Sequence, residues 1–394
     1  MKATKSISNL FRGLPLVALI IVGTVLYFGL APSGKESSVN MRNEVEGFHL
    51  ASEQGGTQAE AQYPDTEYYR DSEYQEPEAA KELPGGNGTL WVTNRALNNV
   101  TAYDSATGEV LGTIAVGDKP IGVTAPPETG KVYVSNEDSD TVSVIDKSKL
   151  SVIATIPTGD GPHHIAHSPK GNFVYVAEFN VNTIGVIDTD SDTLVAHYTA
   201  SEAEAGTHAV GVTQDGKTLY VANSDENTIA ALDAQTGALL WSLDVGAKPS
   251  EILVTPDGEI GYVTVRDENK VKVVDLTVPE ITDEVVVGEQ PDTLQLTPDL
   301  KTLVVALRGT PAQVALIDTA TLAVTPVDIT PGQTTGHHWL SANGRYTFVA
   351  VEEPGSVAVI LNSTAKVVAS YPYPESDGES GQPHGVFYES AQLK

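Results

Sequence analysis

The chain has 394 residues, carries 23 lysines and arginines against 52 aspartates and glutamates for a formal net charge of −29, and contains no cysteine. The absence of thiols excludes disulfides, thiol catalysis, thiolate metal sites, a lipoprotein anchor and covalently attached c-type haem, so any metal here must use His, carboxylate or water. The acidic excess disfavours binding to nucleic-acid phosphate.

Residues 1–13 place Lys2, Lys5 and Arg12 ahead of Leu14–Ala31 (LPLVALIIVGTVLYFGLA), a stretch without a charge. That length is about the minimum for crossing a bilayer, and the basic flank predicts a cytoplasmic N-terminus and a membrane anchor over 14–31. A secretory signal peptide is the competing reading, with Gly29 and Ala31 as its cleavage site; Pro32 directly afterwards argues against cleavage. Either reading exports the remainder of the chain to the periplasm or cell surface. Residues 32–84 hold twelve acidic and four basic side chains among Gly, Ser, Gln and Pro with no sustained apolar period, which predicts a disordered acidic linker. Its tyrosines (Tyr63, Tyr68, Tyr69 and Tyr74) read as residues scattered in that linker.

From Thr89 onward a unit of roughly 42 to 48 residues recurs, in the range of propeller blades. It is clearest at Thr207–Val245, where THAVGVTQDGKTLYVAN is followed by NTIAALDAQTGALLWSLDV: four short apolar stretches separated by turn residues. Copies begin at Pro120, Pro162, Thr207, Pro249, Pro291 and Thr335. The first copy starts at its second strand (TLWVTN, 89–94), and the chain ends on an orphan first strand (PHGVFY, 383–388). Joining the two ends completes one blade and leaves six contiguous ones. The expectation is an all-β, seven-bladed, monomeric propeller over 85–394, closed so that no sheet edge is left for pairing with another chain.

The second strands read LWVTN (90–94), VYVSN (132–136), VYVAE (174–178), LYVAN (219–223), GYVTV (261–265), LVVAL (303–307) and TFVAV (347–351); third strands read TVSVID (141–146), TIGVID (183–188) and TIAALD (228–233). With their SPKG, TQDG and TPDG turns these lines resemble the YVTN family of β-propeller repeats over essentially all of residues 89–391. The resemblance implies architecture only, because members include surface and binding proteins and relatives of haem d1 and amine dehydrogenase propellers. Blades 5 to 7 lose the terminal Asn and carry Arg266, Arg308 and Glu352 just beyond it. The turn acids, and the Asp closing each third strand, read as turn residues.

Seven of the nine histidines fall at or near the start of a first strand: His163, His164 and His167, His208, His337 and His338, and His384. First strands line a propeller's axis, so these positions converge although they are distant in sequence. Alignment puts Ile121, His163, His208, Ser250, Asp292, Gly336 and His384 at one level, and Gly122, His164, Ala209, Glu251, Thr293, His337 and Gly385 at the next. Imidazole without sulfur suits copper, zinc or iron. In arrangement alone the channel resembles the copper-holding propellers of nitrous oxide reductase and thiocyanate dehydrogenase. The expected metal ligands are His163, His208, His337 and His384, with His164 and His338 secondary, and Glu251 or Asp292 an acid or base for bound water. His338 and His167 align with apolar positions such as Ile252 and Val254, so a buried, hydrogen-bonded core role competes for both. Arg95, Arg266 and Arg308 share that rim and could steer a small anion, or simply pair with nearby acids such as Asp267. His197 and His49 need no role. The functional expectation is a copper-type oxidoreductase or metal-binding propeller; the alternatives are a non-catalytic scaffold binding a surface protein or glycan, and a binder of a haem d1-type tetrapyrrole.

Overall fold

A computed structural model of the chain describes residues 87–391, apart from 128, 202–205, 331–333, 354 and 375–380, together with two short strands upstream, Ile20–Ile21 and Thr24–Val25, which pair with each other. Apart from those strands, the expected cytoplasmic segment, anchor and linker lie outside the described residues. Among the described residues no helix is long and apolar enough to cross a membrane.

Residues 87–391 form seven four-stranded antiparallel sheets, each running in chain order from an innermost to an outermost strand. Blade 1 is the exception in connectivity: its innermost strand is Pro383–Ser390, paired to Gly88–Asn94 from the other end of the repeat region. The innermost strands of blades 2 to 7 are Pro120–Thr124, Pro162–His167, Thr207–Val212, Pro249–Val254, Pro291–Leu296 and Thr335–Leu340. Each packs beside the next, and Pro383–Ser390 touches both the first and the last of them, so the ring is closed.

The sequence pattern explains this arrangement. A blade in a ring is covered on both faces, so its second and third strands are largely apolar; Leu219–Asn223 and Ile229–Leu232 are buried at every position. Outer strands such as Thr193–Thr199 face solvent on one side and alternate in exposure. Seven apolar clusters among the described residues fill the seven blade interfaces. The closing interface is the most aromatic, joining Tyr103 and Tyr388 of blade 1 to Phe348, Tyr371 and Tyr373 of blade 7. Closing aspartates behave as expected: Asp233 accepts from the Gln235 and Thr236 amides, and Asp257 of the TPDG turn accepts from the Glu259 amide.

Two further features place the channel side chains. Asn98, Asn227 and Asn269 take left-handed conformations before their third strands, and their side-chain oxygens accept the amides of Lys119, Lys248 and Gln290, each preceding the next blade's first strand. Every first strand also carries one extra residue against its second strand, just after its opening Pro or Thr; in blade 3 Pro162 faces Glu178 but Ile165 faces Val176. A bulge of this kind opposes two residues to one and re-aims their side chains. It lets His163 and His164, adjacent in sequence, both reach neighbours around the axis.

Candidate functional site in the central channel

The site draws on two repeat positions at one end of the channel: the bulged residues of the first strands, and the residue following each second strand. The second position supplies Arg95, Phe179, Arg266, Arg308 and Glu352. The expected channel histidines do come together. His163 and His208 have ring centroids 4.4 Å apart, His337 and His384 are 4.5 Å apart, and His164 reaches across to His337 at 5.9 Å.

A chain of polar contacts links the two imidazole pairs. The Nδ1–H of His208 donates to the Ser250 carbonyl at 2.8 Å, which fixes the tautomer and leaves Nε2 to accept from Arg266 Nη2 at 3.1 Å. The same guanidinium nitrogen donates to Asp292 Oδ1. Arg308 stands with Nη1 3.5 Å from Asp292 Oδ2 and donates through Nη2 to Glu352 Oε1 at 3.0 Å. That oxygen also lies 2.7 Å from His384 Nδ1, so Nδ1 carries the proton, and Arg308 Nη1 at 3.3 Å packs beside it. Arg95 is peripheral, 3.8 Å from Glu352. The arginines thus pair with Asp292 and Glu352 rather than with the adjacent Asp267.

Below this chain lies a small cavity of about 20 Å³, lined by His164, Glu251, Thr293, Gln295, His337 and Trp339 among others. It has room for a single water or ion. Glu251 accepts the Leu294 amide at 2.7 Å and lies 3.3 Å from His164 Nε2. Trp339 packs against Phe387 with the rings tilted by 44° and their centroids 4.6 Å apart. Four imidazole nitrogens here, His163 Nδ1, His164 Nδ1, His337 Nε2 and His338 Nε2, are buried without a hydrogen-bond partner.

Burial dominates the electrostatics. It holds His163, His208, His337 and His384 well below the ordinary histidine range, reinforced by His208, Arg266, His384 and Arg308 respectively. These rings are uncharged at neutral pH. His164 differs: burial opposes its charge, but the hydrogen bond and charge of Glu251 outweigh that and raise its pKa. Burial alone would push Asp292 up, yet Arg266 and Arg308 hold it well below the carboxylate range.

His167 takes the core role, and His338 shares it through one ring nitrogen. His338 Nδ1 pairs with Thr293 Oγ1 of blade 6 at 2.9 Å, and His167 Nδ1 with Thr124 Oγ1 of blade 2 at 2.8 Å. His338 also lines the cavity, where its Nε2 is buried without a hydrogen-bond partner. His197 has a partner that the sequence did not reveal: its Nδ1 is 2.9 Å from Glu178, a wholly buried carboxylate that also accepts from Thr183 Oγ1 and the Gly159 amide. Phe179 was missed as well. It packs against His163 and His208 at 6.0 and 6.1 Å, and its signal was its place one residue past a second strand, level with Arg95, Arg266 and Arg308. Among the described residues no three His, Asp or Glu side chains stand as a ready metal-holding group.

A family described as a YNCE-like beta-propeller matches residues 128–379. The chain belongs to that family. No curated protein matches the sequence. Solved structures similar to this propeller include Kuenenia stuttgartiensis hydrazine synthase, 22% identical over 73% of this chain and 98% of that one, with a TM-score of 0.63. A functionally unknown protein from Desulfotomaculum acetoxidans is 14% identical over 78% of this chain and 100% of its own, TM-score 0.63. The dihydro-heme d1 dehydrogenase NirN in complex with DHE is 16% identical over 76% of this chain and 75% of its own, TM-score 0.59. At these identities the likeness to the YNCE-like propeller is one of fold.

Proposed function

We propose that this YNCE-like propeller is exported, tethered through its N-terminal apolar segment, and binds a transition-metal ion at the imidazole pairs of the upper channel, with oxidoreduction as the class of chemistry it would serve. The observation that carries the reading is the state of the imidazoles. They come from four blades and are uncharged; His163 Nδ1 and His337 Nε2 lack partners, while His208 and His384 are backed by a carbonyl and a carboxylate. Metal-ligating histidines are usually backed in this way, which orients the ring and raises the basicity of the free nitrogen. Copper and zinc suit such a nitrogen-rich site; calcium and magnesium do not. Glu251 and Asp292 would then act on bound water or on the charge of the site.

The test is metal per chain by mass spectrometry on protein produced in the periplasm with copper, zinc and iron supplied, alongside a visible spectrum. His208→Ala combined with His337→Ala should abolish stoichiometric metal; unchanged content in that variant, or a metal-free and colourless wild type, sinks the reading. A second reading has its own support: the arginines are already neutralised by Asp292 and Glu352, as expected of a polar plug in a scaffold that binds a surface protein or glycan over its rim. A tetrapyrrole would have to lie across the mouth, because the cavity of about 20 Å³ cannot admit one.

A further inference from the structure

Given the metal reading above, on which this inference rests, we infer that Arg266 is the specificity gate of the site, competing with the metal ion for His208 Nε2. The Ser250 carbonyl holds the Nδ1 proton of His208, so Nε2 is the only lone pair this ring can offer, and Arg266 Nη2 donates into it at 3.1 Å. A guanidinium and a metal ion cannot share that nitrogen. The neighbouring ring of His163 stands 4.4 Å away with Nδ1 unpartnered, so displacing Arg266 would open two imidazoles to an ion together.

Arg266 is placed to leave. It begins the short turn Arg266–Glu268 at the channel mouth, its side chain is 25% exposed, and its Nε has no partner. Swinging the guanidinium into solvent breaks its bonds to His208 and Asp292. Asp292, only 1% exposed, keeps Arg308 beside it. Exchange of guanidinium for metal therefore replaces a single positive charge with a double one next to the same carboxylate. The exchange demands an ion that binds imidazole strongly enough to displace a charge-assisted pair, which selects Cu²⁺ and Zn²⁺ over Mg²⁺ and Ca²⁺.

The experiment titrates chelator-stripped full-length protein with CuSO₄ and, separately, ZnSO₄ against a chromophoric competitor. Removing a charge beside a divalent ion should tighten binding by at least about tenfold in Arg266→Gln. Arg266→Lys, which keeps the charge, should remain near wild type, as should Lys217→Gln, on an exposed turn away from the site. If Gln leaves Asp292 so poorly paired that the protein fails to fold, the comparison is made in the Asp292→Asn background, where adding Arg266→Gln to D292N should tighten binding by the same factor relative to D292N alone. Metal uptake by wild type with equal or weaker binding in Arg266→Gln overturns the gate and leaves the metal reading standing. No uptake by either protein overturns both.

Discussion

His338 offers a measurable test of how buried imidazoles govern this ring's stability. The side chain is 1% exposed, wedged between blades 6 and 7, and burial lowers its pKa from the ordinary 6.5 to about 4. Because the pKa falls on folding, the unfolded chain binds a proton between pH 6.5 and 4 that the folded chain refuses, so stability is full above 6.5 and declines as pH falls through that window. The difference of 6.5 − 4 pH units, at roughly 1.4 kcal/mol each, comes to ~3 kcal/mol in full and ~2 kcal/mol by pH 5. Leucine is the natural replacement, since blade 6 has Leu294 at the same position. Urea midpoints at pH 7.5 and pH 5, for wild type and His338→Leu, give a difference of differences in which all other titrations cancel. The variant should lose ~2 kcal/mol less than wild type on acidification. Equal losses would refute the view that this histidine is held neutral by burial.

Other substitutions test the rest of the architecture. Asp292→Asn leaves Arg266 and Arg308 without their shared carboxylate and should destabilise by roughly 3 kcal/mol, read as a urea midpoint shift; adding Arg266→Gln should restore part of the loss, because the two groups are in contact. Gly385→Ala pushes a Cβ into the Ile121 carbonyl oxygen of the neighbouring innermost strand, and overpacking of this kind should cost about 1 to 3 kcal/mol in thermal or urea unfolding. Deleting residues 383–394 removes the innermost strand of blade 1 and bares the edge of Gly88–Asn94; size-exclusion chromatography should show aggregate rather than monomer. A well-behaved monomer would argue against closure as the source of ring integrity.

The ring was legible in the sequence because each blade repeats a pattern that only double-sided burial explains, and because the half-blades at 89–94 and 383–388 fit no other partner. The convergence of His163, His208, His337 and His384 was legible for the same reason: a shared register position becomes a shared place on the axis. The contribution of the adjacent residues was less visible. Strict alternation would send His164 and His163 to opposite faces, and the bulge that brings both into the channel leaves no mark on composition. Side-chain pairing was also out of reach. Asp267 adjoins Arg266 in sequence, yet the guanidinium turns inward to Asp292, 26 residues away, where a buried carboxylate needs a cation. His197 looked idle on an exposed strand because Glu178 replaces the Asn of blades 1, 2 and 4, and a carboxylate buried at that point needs donors that the amide does not.

The departures from the repeat are coupled, and the coupling limits what the channel can be. A charged group at a buried repeat position needs a partner, and here the partner is always another departure: Arg266 with Asp292, Arg308 with Asp292 and Glu352, His384 with Glu352, His164 with Glu251. Neither Asp292 nor Glu251, both buried, could have been introduced alone without an uncompensated charge costing several kcal/mol. An uncharged ring could be closed more simply with the Ile, Gly and Ala that blades 2 and 4 already use at these levels (Ile121, Gly122, Ala209). A cluster that must be held together as a whole, and that still leaves His163 Nδ1 without a partner and His164 Nδ1 and His337 Nε2 without partners on residues lining a water-sized cavity, is more costly than closure requires. That excess is the physical argument for a bound partner at the axis, and the metal titrations decide whether that partner is an ion.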